Sequence, residues 1–243
     1  MSDTDFSNKL ARFIDFFFSV TMGMALLQFA QSPFTQHLLQ APTLSESLRI
    51  LADSYSIPVL FLLNLSFLLS DWVFYQVLIL RLGYKFPRGI VRFGLDAASF
   101  SVLYSVLYLS IHASAVHGAL WVVAGISAWH FLVWSWHLAS KWEGYTTTPS
   151  VHFIRAVAYV FVWIIGVETQ RRDVLVVLTT LLILWFNGSR LYYFLQPSSE
   201  GAIPVVPKAP TLTTNVDRAV TILLGICCLV ALVFGVVSPR CRG

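Results

Sequence analysis

Residues 57–80 read IPVLFLLNLSFLLSDWVFYQVLIL, an apolar run with one charged side chain, Asp71. About 20 mostly apolar residues suffice for a helix to cross the hydrocarbon core of a bilayer, so this run predicts a membrane-spanning helix. A charge near the centre of such a helix costs about 2.5–3.5 kcal/mol on insertion scales, and it therefore usually faces protein or water. At 1.5 Å per residue, Asp71 lies about 15 Å from Arg81, close to the midplane. The run thus predicts both the fold class and the first candidate functional residue.

Further apolar stretches lie on both sides of this run. They predict membrane-spanning helices over residues 10–31, 92–112, 118–140, 151–168, 174–195 and 219–238. The stretch at 151–168 is the shortest and contains Arg155. We therefore expect an all-α polytopic transmembrane bundle with about seven spans, or six if one of the last three helices does not cross.

The composition excludes a soluble globular protein. Hydrophobic residues make up 57% of the chain and charged residues 12%, whereas soluble domains carry roughly 25% charged residues. The formal net charge is +4, but the Lys and Arg residues are scattered at the ends of the apolar runs. A nucleic-acid-binding protein would gather them on one face, so no nucleic-acid partner is expected. The expected environment is instead the lipid bilayer.

Charge placement predicts the topology. The loop between the second and third predicted helices contains Arg81, Lys85, Arg88 and Arg92 and no acidic residue. Because basic loops stay on the cytoplasmic side, this loop and the N-terminus are predicted to be cytoplasmic. Arg171 and other basic residues late in the chain then fall on the outer side, against the rule that basic loops stay in the cytoplasm. A six-span arrangement would remove part of that conflict. The basic loop Arg81–Arg92 is also a candidate docking site for a soluble partner.

The chain divides into three parts. Residues 1–196 form the six-helix part of the bundle, with an amphipathic interfacial segment at 43–55. Thr43 and Glu46 fit a capping box at the start of that segment, in which each side chain satisfies a backbone N–H of the first helical turn. Residues 197–216 are rich in proline and predict a linker, and residues 217–243 predict a C-terminal transmembrane helix with a short tail.

Several polar side chains interrupt the predicted spans. Under the predicted topology the ionisable ones fall in the cytoplasmic half as a layer of nearly balanced charge, and one amide lies on the same helix face as Asp71. The candidate residues for this polar layer are Asp71, Asn64, Asp15, Asp96, Arg155, Arg190 and His137. Asp71 is too deep to reach the interface easily, whereas charges near helix ends can extend their side chains to it.

Two interpretations of the polar layer are open. In the first, the layer lines a path through the bundle, or through a homo-oligomer of it, for a small ion, a proton or a small solute. Asp71 would then be the central site and His137 a group that responds to pH. In the second, pairs such as Asp71–Arg190 and Asp15–Arg155 neutralise each other, and the protein is a non-transporting membrane scaffold or signalling subunit.

A third and weaker interpretation is a haem-binding redox protein. The fourth predicted helix carries His130 and His137 on one face. Depth along the helices places His130 at mid-membrane and His152 near a surface, so only His137 and His152 come close to a shared depth as axial ligands. Otherwise no cofactor or metal is expected. The sequence contains no nucleophile elbow, HExxH motif or phosphate-binding glycine loop, and it therefore predicts no enzymatic activity.

Overall fold

The computed structural model describes residues 3–85, 87, 89–142 and 150–195. Across these residues the regular secondary structure is helical, without a strand. The helices are α1 (Asp3–Ala30), α2 (Pro33–Leu39), α3 (Leu44–Ser54), α4 (Ser56–Leu82), α5 (Gly89–Ile111), α6 (Val116–Trp142), α7 (Ser150–Thr169) and α8 (Arg172–Leu195). The predicted all-α class is confirmed.

Among the residues that the structure describes, five helices are long and apolar enough to cross a membrane. They are Asp5–Ala30, Ser56–Val73, Gly89–Ile111, Val116–Trp142 and Ser150–Thr169. These five match the first five predicted spans. The sixth predicted span coincides with α8, an apolar helix whose side chains are described only as far as Gly188. The seventh predicted span and the predicted linker lie outside the described residues.

The helices α4 to α8 form a closed ring. Each of them packs against the next in sequence, and α8 returns to pack against α4. The helix α1 lies outside this ring and packs against α5. It runs parallel to α5, since Phe13 lies 5.7 Å from Phe93 and Phe18 lies 5.8 Å from Phe100 between ring centroids.

The two ends of the bundle differ in structure. One end of the bundle contains α3, the α5–α6 turn and the α7–α8 turn, and we call it the α3 end. The opposite end, where α4 meets α5, is called the Tyr84 end. At the α3 end the Tyr55 hydroxyl donates a 2.6 Å hydrogen bond to Asp173 Oδ1. Arg172 Nη1 donates to the carbonyl oxygens of Ser114, at 2.7 Å, and Asp53, at 3.3 Å. These hydrogen bonds hold the α3–α4, α5–α6 and α7–α8 connections together.

The hydrogen bond also changes how both partners titrate. Partial burial and the neighbouring Asp173 carboxylate raise the pKa of Tyr55. The donated hydrogen bond from Tyr55, together with the positive charge of Arg172, lowers the pKa of Asp173.

The helix α3 carries the predicted N-terminal cap. Thr43 Oγ1 accepts a 3.2 Å hydrogen bond from the backbone N–H of Glu46. The Glu46 side chain does not complete the capping box, because it forms a 2.6 Å ion pair with Arg49 along the same helix.

The half of the bundle nearer the α3 end has an interior of close-packed, mostly apolar side chains. Val106, Val122, Ile126 and Val162 are fully buried there. At Gly125 an added Cβ would lie 2.5 Å from Val106 Cγ2, so the glycine allows α5 and α6 to approach closely. Helices in lipid gain little from the hydrophobic effect, and such close packing and interhelical hydrogen bonds hold them together instead.

Large apolar side chains cover the outside of the ring. Phe16, Leu62, Trp121 and Leu184 each expose more than half of their surface. An apolar surface of this extent would promote association in water. In a bilayer it is the surface that contacts the lipid tails.

Candidate functional site

A hydrogen-bonded chain of three side chains lies near the Tyr84 end. The Tyr84 hydroxyl donates a 2.7 Å hydrogen bond to Asp96 Oδ2 on α5. It lies 3.1 Å from the Tyr75 hydroxyl on α4. Because the Tyr84 proton is given to the carboxylate, Tyr75 is the donor of the second bond. All three residues are buried, and a chain of this kind is stronger than separate bonds because each bond polarises the next.

The chain turn after α4 brings Tyr84 into this position. Gly83 adopts a φ of +60°, the left-handed conformation with which many helices end and which glycine accommodates without strain. The backbone N–H of Tyr84 then donates a 2.8 Å hydrogen bond to Ser7 Oγ on α1. Gly89 begins α5 so close to Tyr84 that an added Cβ would lie 2.9 Å from Tyr84 Cβ. The tyrosine is therefore folded back over the helix ends.

Arg92 belongs to the same buried cluster. It is fully buried, and its Cζ atom lies 5.1 Å from the centroid of the Tyr84 ring and 5.6 Å from that of Trp136 on α6. The sequence assigns Arg92 to the basic loop between the second and third helices, whereas in the structure it lies within α5 and is buried. Lys85 is exposed in the loop, whereas the side chains of Arg81 and Arg88 lie outside the described part of the chain.

Asp15 connects α1 to the ring. Its Oδ1 atom accepts a hydrogen bond from Gln76 Nε2 on α4. The predicted pair Asp15–Arg155 is not formed, because α1 packs against α5 while Arg155 is on α7, which packs against α6 and α8.

Asp71 is half-buried on α4, one helical turn before Tyr75. This spacing places it on the same side of α4 as the tyrosine chain. The backbone of Arg190 lies in α8, but its side chain is outside the described residues. The pair Asp71–Arg190 therefore stays a prediction.

Asn64 lies away from the other polar-layer candidates. Its Nδ2 atom donates to Ser110 Oγ on α5 at 3.1 Å and to the Leu60 carbonyl at 2.8 Å. Ser110 is the penultimate residue of α5, so this contact lies toward the α3 end. In the structure, Asn64 thus forms a hydrogen bond that connects α4 to α5.

Three histidines form a second cluster between α6 and α7. The Nδ1 atoms of His130 and His152 lie 3.3 Å apart. The ring centroids of His137 and His152 lie 5.1 Å apart. His152 is therefore in contact with both histidines of α6.

The position of His152 corrects the depth predicted from the sequence. His152 is two residues from the start of α7, whereas α6 continues for twelve residues beyond His130. A separate hydrogen bond shows the same position of α7 along α6, because Ser127 Oγ donates to the Ala156 carbonyl at 3.0 Å. Hence α7 begins well inside the length of α6, and His152 lies beside His130 instead of near a surface.

Aromatic rings and one guanidinium surround the histidines. The His130 ring stacks on Tyr159 at 5.4 Å and also contacts the rings of Phe67, Trp129 and Phe186. Arg155 is buried one turn after His152, with its Cζ atom 4.5 Å from the centroid of Phe186. Trp136 connects this cluster to the first one, since its ring lies 5.2 Å from His137 and 5.6 Å from the Arg92 guanidinium.

The geometry does not fit haem ligation by His137 and His152. Their rings contact each other directly, with an angle of 35° between the ring planes, whereas axial ligands lie on opposite faces of the macrocycle. In the residues that the structure describes, no three His, Cys, Asp or Glu side chains converge on a point that could hold a metal ion. What the cluster can do chemically is accept, hold and donate protons, because imidazole changes charge near neutral pH.

The fold and these buried clusters define the class as a helical membrane protein with polar clusters buried in one half of its bundle. No protein-family model matches the sequence, and neither a curated protein nor a solved structure matches the chain.

The sequence reasoning missed Tyr75, Tyr84 and the buried state of Arg92. A signal for Tyr75 was present, since it follows Asp71 by one turn on the same helix face. For Tyr84 the signal was the Gly83-Tyr84 pair, which follows an apolar helix at the position where a glycine commonly ends one.

Proposed function

We propose that the protein passes a small ion, a proton or a small solute through its helix bundle. The observation that carries this proposal is the gathering of ionisable side chains from four helices in one half of the bundle. They are Asp71 on α4, Arg92 and Asp96 on α5, His130 and His137 on α6, and His152 and Arg155 on α7. Ionisable groups at membrane depth are costly and commonly mark ion or proton pathways.

Asp71 is the residue through which the polar half would connect to the centre of the bundle. It lies on α4 between the tyrosine chain, one turn toward the Tyr84 end, and Phe67, one turn in the other direction. Phe67 contacts both Trp129 and Phe186. These rings separate the polar half from the apolar half.

The arrangement represents a closed state in this proposal. The half nearer the α3 end is packed with fully buried apolar side chains such as Val106, Val122 and Ile126. Passage then requires this half to open, and the hydrogen bonds of Tyr55 and Arg172 hold the helix ends that would have to separate.

Flux measurements on reconstituted protein test the proposal. Purified protein in liposomes is assayed with dyes for protons, K⁺, Na⁺ and Cl⁻ and with a radiolabelled small-solute panel. We expect flux of at least one of them above that of protein-free liposomes, and a loss of about tenfold or more in Asp71→Asn. The matched control is Asp53→Asn, which removes an exposed carboxylate on α3. Unchanged flux in Asp71→Asn would remove Asp71 from the pathway.

One observation favours a second function, that of a membrane scaffold or signalling subunit. The chain Tyr75–Tyr84–Asp96 is buried and its members are hydrogen-bonded to one another, as a purely structural role would require. In that case a soluble partner docks on the loop that contains exposed Lys85. Charge reversal at Arg81, Lys85 and Arg88 would abolish partner binding while the bundle stays folded, and the liposomes would show no flux of any kind.

A further inference from the structure

We infer that the transported species is the proton and that His152 passes it between His137 and His130. This inference rests on the proposed function and names the substrate of the same site. It is carried by the position of His152, which contacts both histidines of α6 from the neighbouring helix.

His152 is needed as an intermediate because the two histidines of α6 are far apart. His130 and His137 are separated by seven residues, which corresponds to about 10 Å along a helix. A proton cannot cross that distance in one step between hydrogen-bonded nitrogens. His152 divides it into two steps.

The hydrogen bond between His130 Nδ1 and His152 Nδ1, at 3.3 Å, restricts which nitrogen of each ring can carry a proton. When both imidazoles are neutral, a hydrogen bond between the two Nδ1 atoms requires one ring to carry its proton on Nδ1 and the other on Nε2. Transfer of a proton across the bond breaks one N–H bond and forms another.

A proton therefore passes through His152 without any other reactant. It arrives from His137 on one nitrogen of His152, which becomes an imidazolium, and the proton on the other nitrogen leaves for His130. His152 then carries its proton on the nitrogen that received it from His137. The relay is reset when that nitrogen releases a proton and the other nitrogen takes one up. One positive charge has moved from His137 to His130 in two proton transfers.

The surroundings favour a proton over a metal cation. Na⁺, K⁺ and Ca²⁺ are held by carbonyl, carboxylate or water oxygens, whereas the histidines here contact aromatic rings. Among the described side chains, the ionisable groups beside the cluster are Arg155 and Tyr159 on α7 and, across Trp136, Arg92 on α5. The Arg155 guanidinium lies one turn from His152. Its positive charge disfavours any cation that stays at the cluster, the imidazolium included. A protonated ring can pass its proton on to the next ring, whereas a metal ion would need oxygen ligands to be held there at all.

Proton flux into proteoliposomes tests the inference. A K⁺ gradient with valinomycin supplies the voltage, and an entrapped pH dye reports the flux. We expect His152→Gln to lower proton flux about tenfold or more. The matched control is His112→Gln, which changes an exposed histidine at the α3 end and should stay within about twofold of wild type. Unchanged proton flux in folded His152→Gln overturns the inference.

The wild-type protein separates failure of this inference from failure of the proposed function. If it moves another ion or a solute but no protons, the proton assignment is wrong while the proposed function stands. If it moves nothing, both are wrong.

A spectroscopic measurement covers the case in which His152→Gln does not fold. Solid-state NMR of wild-type protein with ¹⁵N-labelled histidine, in bilayers, reports which nitrogens carry protons. We expect one neutral ring protonated on Nδ1, one protonated on Nε2, and a scalar coupling between two ring nitrogens across their hydrogen bond. Neutral rings that are all protonated on Nε2, with no such coupling, would contradict the relay.

Discussion

The Nδ1 atom of His130 on α6 lies 3.3 Å from the Nδ1 atom of His152 on α7. This contact places two hydrogen-bonded imidazoles in the interior of a helical membrane protein. Through Trp136 it adjoins a second buried cluster, in which Tyr84 donates to Asp96.

Removal of the Tyr84 hydroxyl should destabilise the protein. In Tyr84→Phe the Asp96 carboxylate loses a donor while it stays buried, and such a loss costs about 1–3 kcal/mol. The free energy of unfolding in mixed detergent and SDS micelles measures the effect. The control is Tyr104→Phe, which removes a 3.2 Å hydrogen bond to Gln28 at a half-buried site and should cost about 0.6 kcal/mol. Equal losses in the two variants would contradict the role given to Tyr84.

The contact between Asn64 and Ser110 should appear as a coupling energy. A double-mutant cycle with Asn64→Ala and Ser110→Ala isolates the 3.1 Å hydrogen bond between α4 and α5. Interhelical hydrogen bonds of this kind in membrane proteins average about 0.6 kcal/mol and reach about 1.7. Strict additivity of the two substitutions would show that the pair does not interact.

Close packing at Gly125 should make that position intolerant of a methyl group. An added Cβ would lie 2.5 Å from Val106 Cγ2, and overpacking of this kind costs about 1–3 kcal/mol. Gly94 on α5 is the matched control, because an added Cβ there meets nothing within 4 Å. Gly94→Ala should be neutral or stabilising by up to about 1 kcal/mol, since alanine favours helices. Thermal unfolding of both variants in detergent measures the difference.

The Tyr55–Asp173 hydrogen bond should stabilise the fold within a limited pH range. The pKa of Asp173 is lowered in the folded protein, so its contribution is present above the unfolded pKa, about 4, and is lost as pH falls further. The pKa of Tyr55 is raised, so its contribution is present below the unfolded pKa, about 10, and is lost as pH rises through the folded value.

The unfolding free energies of wild type and Tyr55→Phe, measured against pH, test this dependence. Their difference should be constant between about pH 5 and 9 and should shrink at both extremes. A difference that grows toward low pH would have the wrong sign and would contradict the assignment.

Much of the helical architecture was predictable from the sequence. The apolar runs at 57–80 and 118–140 correspond to α4 and α6, because length and composition alone decide whether a segment can be a membrane helix. The cap at Thr43 was predictable because a capping residue acts only on its own first turn.

The relations between helices were not predictable in the same way. The residue at which a helix begins does not determine the position of that helix along the axis of its neighbour. For this reason His152, near the start of α7, was expected near a surface. The burial of Arg92 was missed because it depends on how Tyr84 folds back over the helix ends. The prediction that Asp15 pairs with Arg155 was wrong because the partner of Asp15 depends on which helices pack together.

The central claim is the proposal that protons cross the membrane through the buried polar side chains of this bundle. Voltage-driven flux through reconstituted full-length protein tests it most directly, with wild type, Asp71→Asn and His152→Gln measured side by side. The account predicts flux above protein-free liposomes for the wild type and a loss of about tenfold or more in both variants. Wild-type flux equal to that of protein-free liposomes would contradict it.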